Sequence, residues 1–258
     1  MNGHGSGVDK KPYGVLLLHG FTDGGGALRP LETALRALGF PVRAPFLRGH
    51  GKESPEALIG VRWPDWVADG TSALGDLLTE ADRAIVVGHS LGALVALALA
   101  AEGAPSLDSL VLAAPILQIN SIFSPGRPFQ FLAPLLARCQ KRWALTPPFA
   151  DPALKTGLDN YLWAPSDAIL SVFDFCRVIR RRLNQVRTPV LVLQSRNDSV
   201  CAPESVEILL RGLATPPKER RVVWFEKTEH DLFRDCEGQA VVRTVIDYAR
   251  ARIGPSPA

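Results

Sequence analysis

Ile85-Val86-Val87-Gly88-His89-Ser90-Leu91-Gly92-Ala93-Leu94-Val95-Ala96-Leu97-Ala98-Leu99-Ala100-Ala101 is the stretch whose reading decides the fold. Its first three residues form an unbroken β-branched run, the pattern of a strand buried on both faces. From Leu91 the chain is Leu, Ala and Val apart from one glycine, a strong helix former that is too short to cross a bilayer and so reads as a buried helix. Between them, Gly88-His89-Ser90-Leu91-Gly92 fits the G-x-S-x-G pattern. That pattern alone recurs by chance, but here it sits in the strand–turn–helix context that gives it meaning. Glycines on either side relieve crowding in the tight turn, so the Ser90 hydroxyl is expected to stand out at the sheet's edge as a nucleophile.

Outward from this core, short apolar runs recur at Gly14–Leu18, Pro41–Ala44, Leu110–Leu112, Val190–Leu193 and Val222–Phe225, separated by helix-like stretches. The alternation implies an α/β fold, a mostly parallel sheet of about six or more strands flanked by helices. Leu28, Leu31, Leu35 and Leu38 share a helical face that stops at Gly39. A second helix begins at Trp63-Pro64-Asp65-Trp66, where proline suits the first turn, and a closing helix covers Gln239 to Ile253. The alternation breaks over residues 115–187, which carry many prolines and the aromatics Phe123, Phe129, Phe131, Trp143, Phe149, Trp163, Phe173 and Phe175. A structureless loop of that length would be out of place, so a cap of short helices inserted in one domain spanning 1–258 is expected.

The charge balance, 29 basic against 26 acidic residues for a net +3, gives no field that would hold nucleic acid or an anionic membrane. A small molecule is the expected partner. The opening Met1-Asn2-Gly3-His4-Gly5-Ser6-Gly7 lacks an apolar h-region and reads as a flexible tail, which points to the cytoplasm, without stable membrane anchoring. Cys139, Cys176, Cys201 and Cys236 lack metal-ligand or redox spacing and read as reduced packing residues. No metal and no organic cofactor is implied.

A serine hydroxyl needs a base, usually a histidine held in one tautomer by a carboxylate. After a serine on such an elbow the acid and then the histidine follow in the chain. Only His230 of the five histidines lies beyond Ser90, so elimination selects it. Asp198, just past the run Val190–Leu193, is the expected acid; Asp231 would have to fold back on its neighbour, Asp235 starts the next helix and Glu204 belongs to a first turn after Pro203. Backbone donors for the developing oxyanion are expected at Leu91, directly after the nucleophile, and at Phe21, after Gly20 in the loop following the first strand. Arg48 and His50 read as parts of a glycine-rich structural loop, and the arginines at 177, 180, 181 and 182 as a solvated helix face. About half of the insertion's aromatics should form its own core and the rest line an acyl pocket.

These landmarks resemble the bacterial carboxylesterase and monoacylglycerol lipase group of the α/β-hydrolases: Leu18-His19-Gly20-Phe21-Thr22, Arg48-Gly49-His50-Gly51, Trp63-Pro64-Asp65-Trp66, the elbow, Asn197-Asp198 and Glu229-His230. The resemblance covers nearly the whole chain outside the insertion. It implies the α/β-hydrolase fold, a Ser90–Asp198–His230 triad, Phe21 and Leu91 as oxyanion donors, no cofactor, and hydrolysis of a small carboxylic ester with an apolar acyl chain. The same triad cleaves thioesters, amides or carbon–carbon bonds elsewhere, and a binding module capturing an acyl ligand without turnover shares the fold. Serine in place of aspartate at the elbow argues against dehalogenase and epoxide hydrolase chemistry.

Overall fold

The computed structural model describes residues 10–155 and 158–253; the glycine-rich opening and the Gly254-Pro255-Ser256-Pro257 end lie outside them. In chain order the elements are β1 (Lys11–Leu18), α1 (Arg29–Ala37), β2 (Val42–Arg43), α2 (Trp63–Leu77), β3 (Ala81–His89), α3 (Leu91–Ala101), β4 (Leu107–Ala113), α4 (Ala133–Cys139), β5 (Arg142–Ala144), β6 (Trp163–Pro165), α5 (Ser166–Arg182), β7 (Val190–Ser195), α6 (Glu204–Gly212), β8 (Arg220–Phe225) and α7 (Gly238–Ile253). The main sheet runs β2-β1-β3-β4-β7-β8 with every neighbouring pair parallel, and β5 and β6 form a separate antiparallel pair. Each apolar run singled out above overlaps one of the six strands, the Pro41–Ala44 run extending one residue beyond β2 at each end.

The central strands are apolar without alternation because helices cover both faces. Leu91 to Ala100 is buried without exception, so α3 has no solvent face at all. Each of its leucines, taken fully out of water, contributes about 2 kcal/mol. On α1 only one stripe is buried, at Leu31 and Leu35, and the chain leaves the helix through Gly39 at φ +82°, a left-handed position that any other residue would strain. No helix among the described residues is long and apolar enough to cross a membrane.

The strand order fixes where a site can form. β1 leads to β2 on one side of it, whereas its other neighbour β3 leads to β4 in the opposite direction, so the loops leaving β1 and β3 diverge and open a crevice at their carboxyl ends. Those loops carry Phe21 and Ser90.

Between β4 and β7 the chain forms short 3₁₀ turns at Gln130–Leu132 and Pro152–Lys155 together with other elements. It holds one seven-residue helix, α4, the short pair β5–β6, and the 17-residue α5. Parallel β4 and β7 need a crossover, and α5 supplies it, burying Phe175, Cys176 and Ile179 in the body core and stacking Phe175 on Trp63 at 5.2 Å. Three-residue strands, one ending in proline, carry no period that a sequence reading can detect. The basic face expected on α5 is broken at Arg180, which donates from Nε to Leu117 O at 2.7 Å and from a terminal nitrogen to Gln118 Oε1, tying the helix to the chain leaving β4.

Candidate active site

Ser90 sits at φ +54°, ψ −112°, a backbone conformation uncommon outside glycine, held by its own N–H donating to Ala113 O on β4 at 2.8 Å. The flanking glycines are steric necessities. A Cβ on Gly92 would lie 2.0 Å from the Leu18 carbonyl oxygen, and one on Gly88 would lie 2.3 Å from the Gly92 carbonyl oxygen. The first turn of α3 is thereby seated directly on the end of β1. Across the crevice, a Cβ on Gly20 would come within 3.3 Å of Ser90 Cβ, so the β1 loop also touches the serine.

His230 and Asp198 arrive from the loops after β8 and β7. His230 Nε2 lies 2.9 Å from Ser90 Oγ, and His230 Nδ1 lies 3.0 and 2.9 Å from the two Asp198 oxygens. A carboxylate cannot donate, so Nδ1 carries the proton and Nε2 is left to accept from the serine hydroxyl. Asp198 also accepts from Val200 N at 2.9 Å, Cys201 N at 2.7 Å and Gln194 Nε2 at 3.0 Å. Burial alone would raise the Asp198 pKa; the His230 charge and these hydrogen bonds outweigh it, and the carboxyl ends below its usual range. For His230 burial works to lower the pKa, and Asp198, joined by Asp231 and Glu229, outweighs it, leaving the imidazole above its ordinary 6.5.

The two amides named from sequence flank the serine. No acceptor among the described residues takes the N–H of Phe21 or of Leu91. Leu91 is the first residue of α3, so its amide also carries the positive end of that helix dipole. On the other side His19 Nδ1–H donates to Gly20 O at 2.8 Å while its Nε2 accepts from Leu47 N at 3.0 Å.

The loop around His230 is braced. His89 Nε2–H donates to the His230 carbonyl at 2.9 Å, and the Ser195 hydroxyl donates to Thr228 O. Asp235, which precedes α7, accepts from Glu229 N and from Ala150 N at 2.8 Å, joining the histidine loop to the 115–187 segment. Asp231 turns away from its neighbour and pairs with Arg234. Arg48 is occupied by Asp65 and Asp69, and His50 donates to Leu47 O and Arg48 O while stacked on Tyr161; neither lines the cleft.

Over Ser90 lies a cavity of about 330 Å³. Most of its wall is apolar and comes from the segment between β4 and β7, with Ile116, Ile119, Leu136, Trp143, Leu145 and Phe173 prominent. Of the eight aromatics named above, Phe123, Trp143 and Phe173 reach this wall. Phe149 and Phe175 are buried elsewhere, and Phe129 and Phe131 are exposed. A second, polar part of the wall, with Asp23, Asn160 and Asp231, escaped the sequence reading. Its signal was the run Gly24-Gly25-Gly26 directly after Asp23: a Cβ on Gly24 would lie 2.3 Å from Asp159 O, and one on Gly26 would lie 2.5 Å from Asp159 Oδ1 and 2.8 Å from Arg234 Nη1.

With this geometry in view, comparison with known proteins is informative. Residues 10–237 match the Hydrolase_4 family model, described as serine aminopeptidase, S33. A thermostable monoacylglycerol lipase from Bacillus sp. (strain H-257) is 25% identical over 254 residues, covering 96% of this chain and 94% of that one. A carboxylesterase from Bacillus subtilis (strain 168) is 26% identical over 235 residues, covering 91% of each chain. Among solved structures, one from a study of the metagenome-derived lipolytic enzymes LipS and LipT superimposes with a TM-score of 0.84 at 22% identity, covering 95% of this chain and 98% of the other.

Proposed function

The chain belongs to the Hydrolase_4 (serine aminopeptidase, S33) family, and on that premise we propose that it is a serine hydrolase of small carboxylic esters, with Ser90 as nucleophile, His230 as base and Asp198 as its orienting acid. The carrying observation is the continuous contact from Asp198 through His230 to Ser90 Oγ, 2.9 Å at each link, in a tautomer that leaves Nε2 free to take the serine proton. The names of the two Bacillus relatives support an ester substrate.

The steps follow from the positions. Ser90 Oγ attacks the ester carbonyl carbon as its proton passes to His230 Nε2; the carbonyl oxygen takes up the electron pair as an oxyanion and meets the Phe21 and Leu91 amides. Asp198 stabilises the imidazolium. His230 then gives the proton to the leaving alkoxide oxygen as the C–O bond breaks, and the acyl group remains on Ser90. Water, losing a proton to His230, repeats the attack and releases the acid.

Within residues 115–187 the stretch before α5 acts as the cap, and its apolar wall, with the cavity-facing side of α5, receives the acyl chain. A cavity of about 330 Å³ lies at the lower end of the usual range for small-molecule sites, which suits one chain of moderate length. Of the four cysteines, Cys176 and Cys201 are buried packing residues, while Cys139 and Cys236 are exposed.

The test is intact-protein mass spectrometry after a fluorophosphonate, wild type beside Ser90→Ala, with hydrolysis of nitrophenyl esters, an acyl thioester and an aminoacyl anilide. One adduct, lost in Ser90→Ala together with ester turnover, is the expected result. Preference for the anilide would move the reading to a peptidase, and a folded wild type with neither adduct nor turnover would make the protein an acyl-binding module.

A further inference from the structure

His230 owes its place to a short loop between β8 and α7, and the side chains that follow it reach outside that loop. Leu232 N donates to His230 O at 3.0 Å, and Arg234 N and Asp235 N donate to Asp231 O at 3.3 and 3.1 Å. Backbone bonds therefore close this turn without help from side chains. The Arg234 side chain extends further. Its Nε donates to Asp231 Oδ2 at 3.0 Å, and one terminal nitrogen donates both to that oxygen and to Asn160 Oδ1, the latter at 2.9 Å. The other terminal nitrogen donates to Asp159 Oδ1 at 3.2 Å, and the guanidinium lies 5.5 Å from the centre of the Phe149 ring. Asp235 doubles the tie, accepting from Glu229 N within the loop and from Ala150 N and Asp151 N in the cap.

Phe149, Asp159 and Asn160 belong to the cap segment between β5 and β6, and that segment also leans on the loop after β1. Tyr161 N donates to Thr22 O at 2.8 Å, a Cβ on Gly24 would lie 2.3 Å from Asp159 O, and one on Gly26 would lie 2.8 Å from an Arg234 terminal nitrogen. Arg234 thus stands where three pieces of chain meet: the loop carrying His230, the loop carrying Phe21, and the cap. The Arg234 side chain is 15% exposed and that of Asp231 8%, so their pairing is shielded, unlike an open surface ion pair, which contributes little. A planar guanidinium with its donors in a fixed fork spans all three acceptors; an ammonium, a compact point charge, does not.

We propose that Arg234 is a positioning residue for the reaction, a latch that couples the seating of the cap on the β1 loop to the placement of His230 against Ser90. This rests on Ser90 and His230 acting as described above. Arg234 does not line the cavity over Ser90, so it acts only through the loop that carries the base. With the latch open, the cap segment and the histidine loop move independently, and His230 spends less time in line with Ser90 Oγ. The apolar wall that binds the ester is unchanged. The loss therefore falls on kcat, with KM nearly constant.

Arg234→Met keeps an unbranched apolar stem and removes the donors. It should lower kcat on nitrophenyl butyrate by about 100-fold, the cost of misplacing a catalytic group by about 1 Å, with KM changed by less than about twofold. Arg234→Lys keeps the charge and loses the fork, and should lose nearly as much. Asp159→Ala alters an exposed cap residue outside the cavity wall, a change the fold tolerates, and should still lower kcat by about tenfold. Because Asp159 acts through Arg234, the double variant should be no slower than Arg234→Met alone. Additive losses, full activity in Arg234→Lys or Asp159→Ala, or a fall carried by KM overturns the proposal. So does lower thermal stability with kcat unchanged. Hydrogen exchange needs no turnover: in Asp159→Ala, peptides covering residues 226–236 should exchange faster although the substitution lies in the cap. If wild type hydrolyses no ester, the hydrolase reading fails; faster exchange there would still establish the latch between cap and loop, and unchanged exchange refutes it.

Discussion

His19 Nδ1–H holds the carbonyl oxygen of Gly20 at 2.8 Å, and that bond orients the peptide unit whose other side is the Phe21 N–H. In a planar trans peptide the N–H points opposite to the C=O, so a group that fixes the Gly20 carbonyl also aims the Phe21 amide. With Nε2 accepting from Leu47 N, His19 is anchored at both ends, and burial holds its pKa below 6.5 so that it stays neutral in this role. Replacement by Ala frees the peptide to rotate. With the Phe21 amide as the proposed oxyanion donor, and since removing such a donor outright costs about 100- to 1,000-fold in kcat, a loosened one in His19→Ala should cost roughly tenfold to 100-fold, with KM little changed. Phe21→Ala keeps the amide and should cost much less. A His19→Ala enzyme with lower thermal stability and unchanged kcat would reduce the residue to packing.

Asp198→Asn is expected to keep the fold and lower kcat by about 10,000-fold. The asparagine amide can donate to Nδ1, which drives the His230 proton to Nε2 and turns it toward the Ser90 hydroxyl it should deprotonate. Crystals or circular dichroism would establish the fold, and the rate of fluorophosphonate labelling should fall with kcat. Activity within tenfold of wild type would require a different acid.

The acid limb of the pH profile follows from the direction of the His230 shift. Protonated His230 cannot accept the serine proton, so kcat/KM rises as pH passes upward through the folded-state pKa. Since Asp198, with Asp231 and Glu229, outweighs burial and raises that pKa above 6.5, the midpoint of the rise should lie above 6.5. A midpoint at or below 6.5 would mean that burial dominates.

Stability has its own pH dependence, from a histidine outside the reaction. Burial and the neighbouring His19 push the His50 pKa down to about 3. Between that value and 6.5 the unfolded chain binds a proton that the folded chain does not, so stability rises with pH across this window and is lost on acidification. The slope from one such group is about 1.4 kcal/mol per pH unit. Urea unfolding at pH 6.5 and 4.5 should therefore show a smaller acid loss in His50→Asn than in wild type, by up to about 3 kcal/mol. Parallel losses in the two proteins would show that His50 is protonated in the folded state.

How much of this was legible in the sequence depends on whether the signal is local. The elbow was readable because Gly88, Ser90 and Gly92 must be neighbours for the turn to form, and the four central strands β1, β3, β4 and β7 because burial on both faces leaves unbroken apolar runs. His230 and Asp198, 32 residues apart, could be paired only by chain order and elimination, and the structure brings both to Ser90. The small β5–β6 pair and the crossover role of α5 were hidden because each depends on what the segment packs against. The polar wall at Asp23, Asn160 and Asp231 brings together three distant loops, two of them tied by Arg234 through Asp231 and Asn160, and only the glycine run after Asp23 hinted at it.

Glycine contacts offer the sharpest separation of steric from conformational cost. In Gly92→Ala the new Cβ would lie 2.0 Å from the Leu18 carbonyl oxygen, a backbone atom of the central strand that cannot move aside cheaply. Helix α3 must shift off β1, which strains the core by about 1–3 kcal/mol or more and carries the Leu91 amide away from the oxyanion. Gly75→Ala, in the exposed last turn of α2, meets nothing within 4 Å, and Gly75 is not among the glycines with positive φ. It should stabilise the protein by about 0.5–1 kcal/mol through helix propensity and a less free unfolded chain. Thermal unfolding and kcat of the two variants are expected to diverge: Gly75→Ala melts higher at full activity, and Gly92→Ala melts lower with kcat reduced. If Gly92→Ala retained both, the seating of α3 on β1 could not be what positions the oxyanion donor after Ser90.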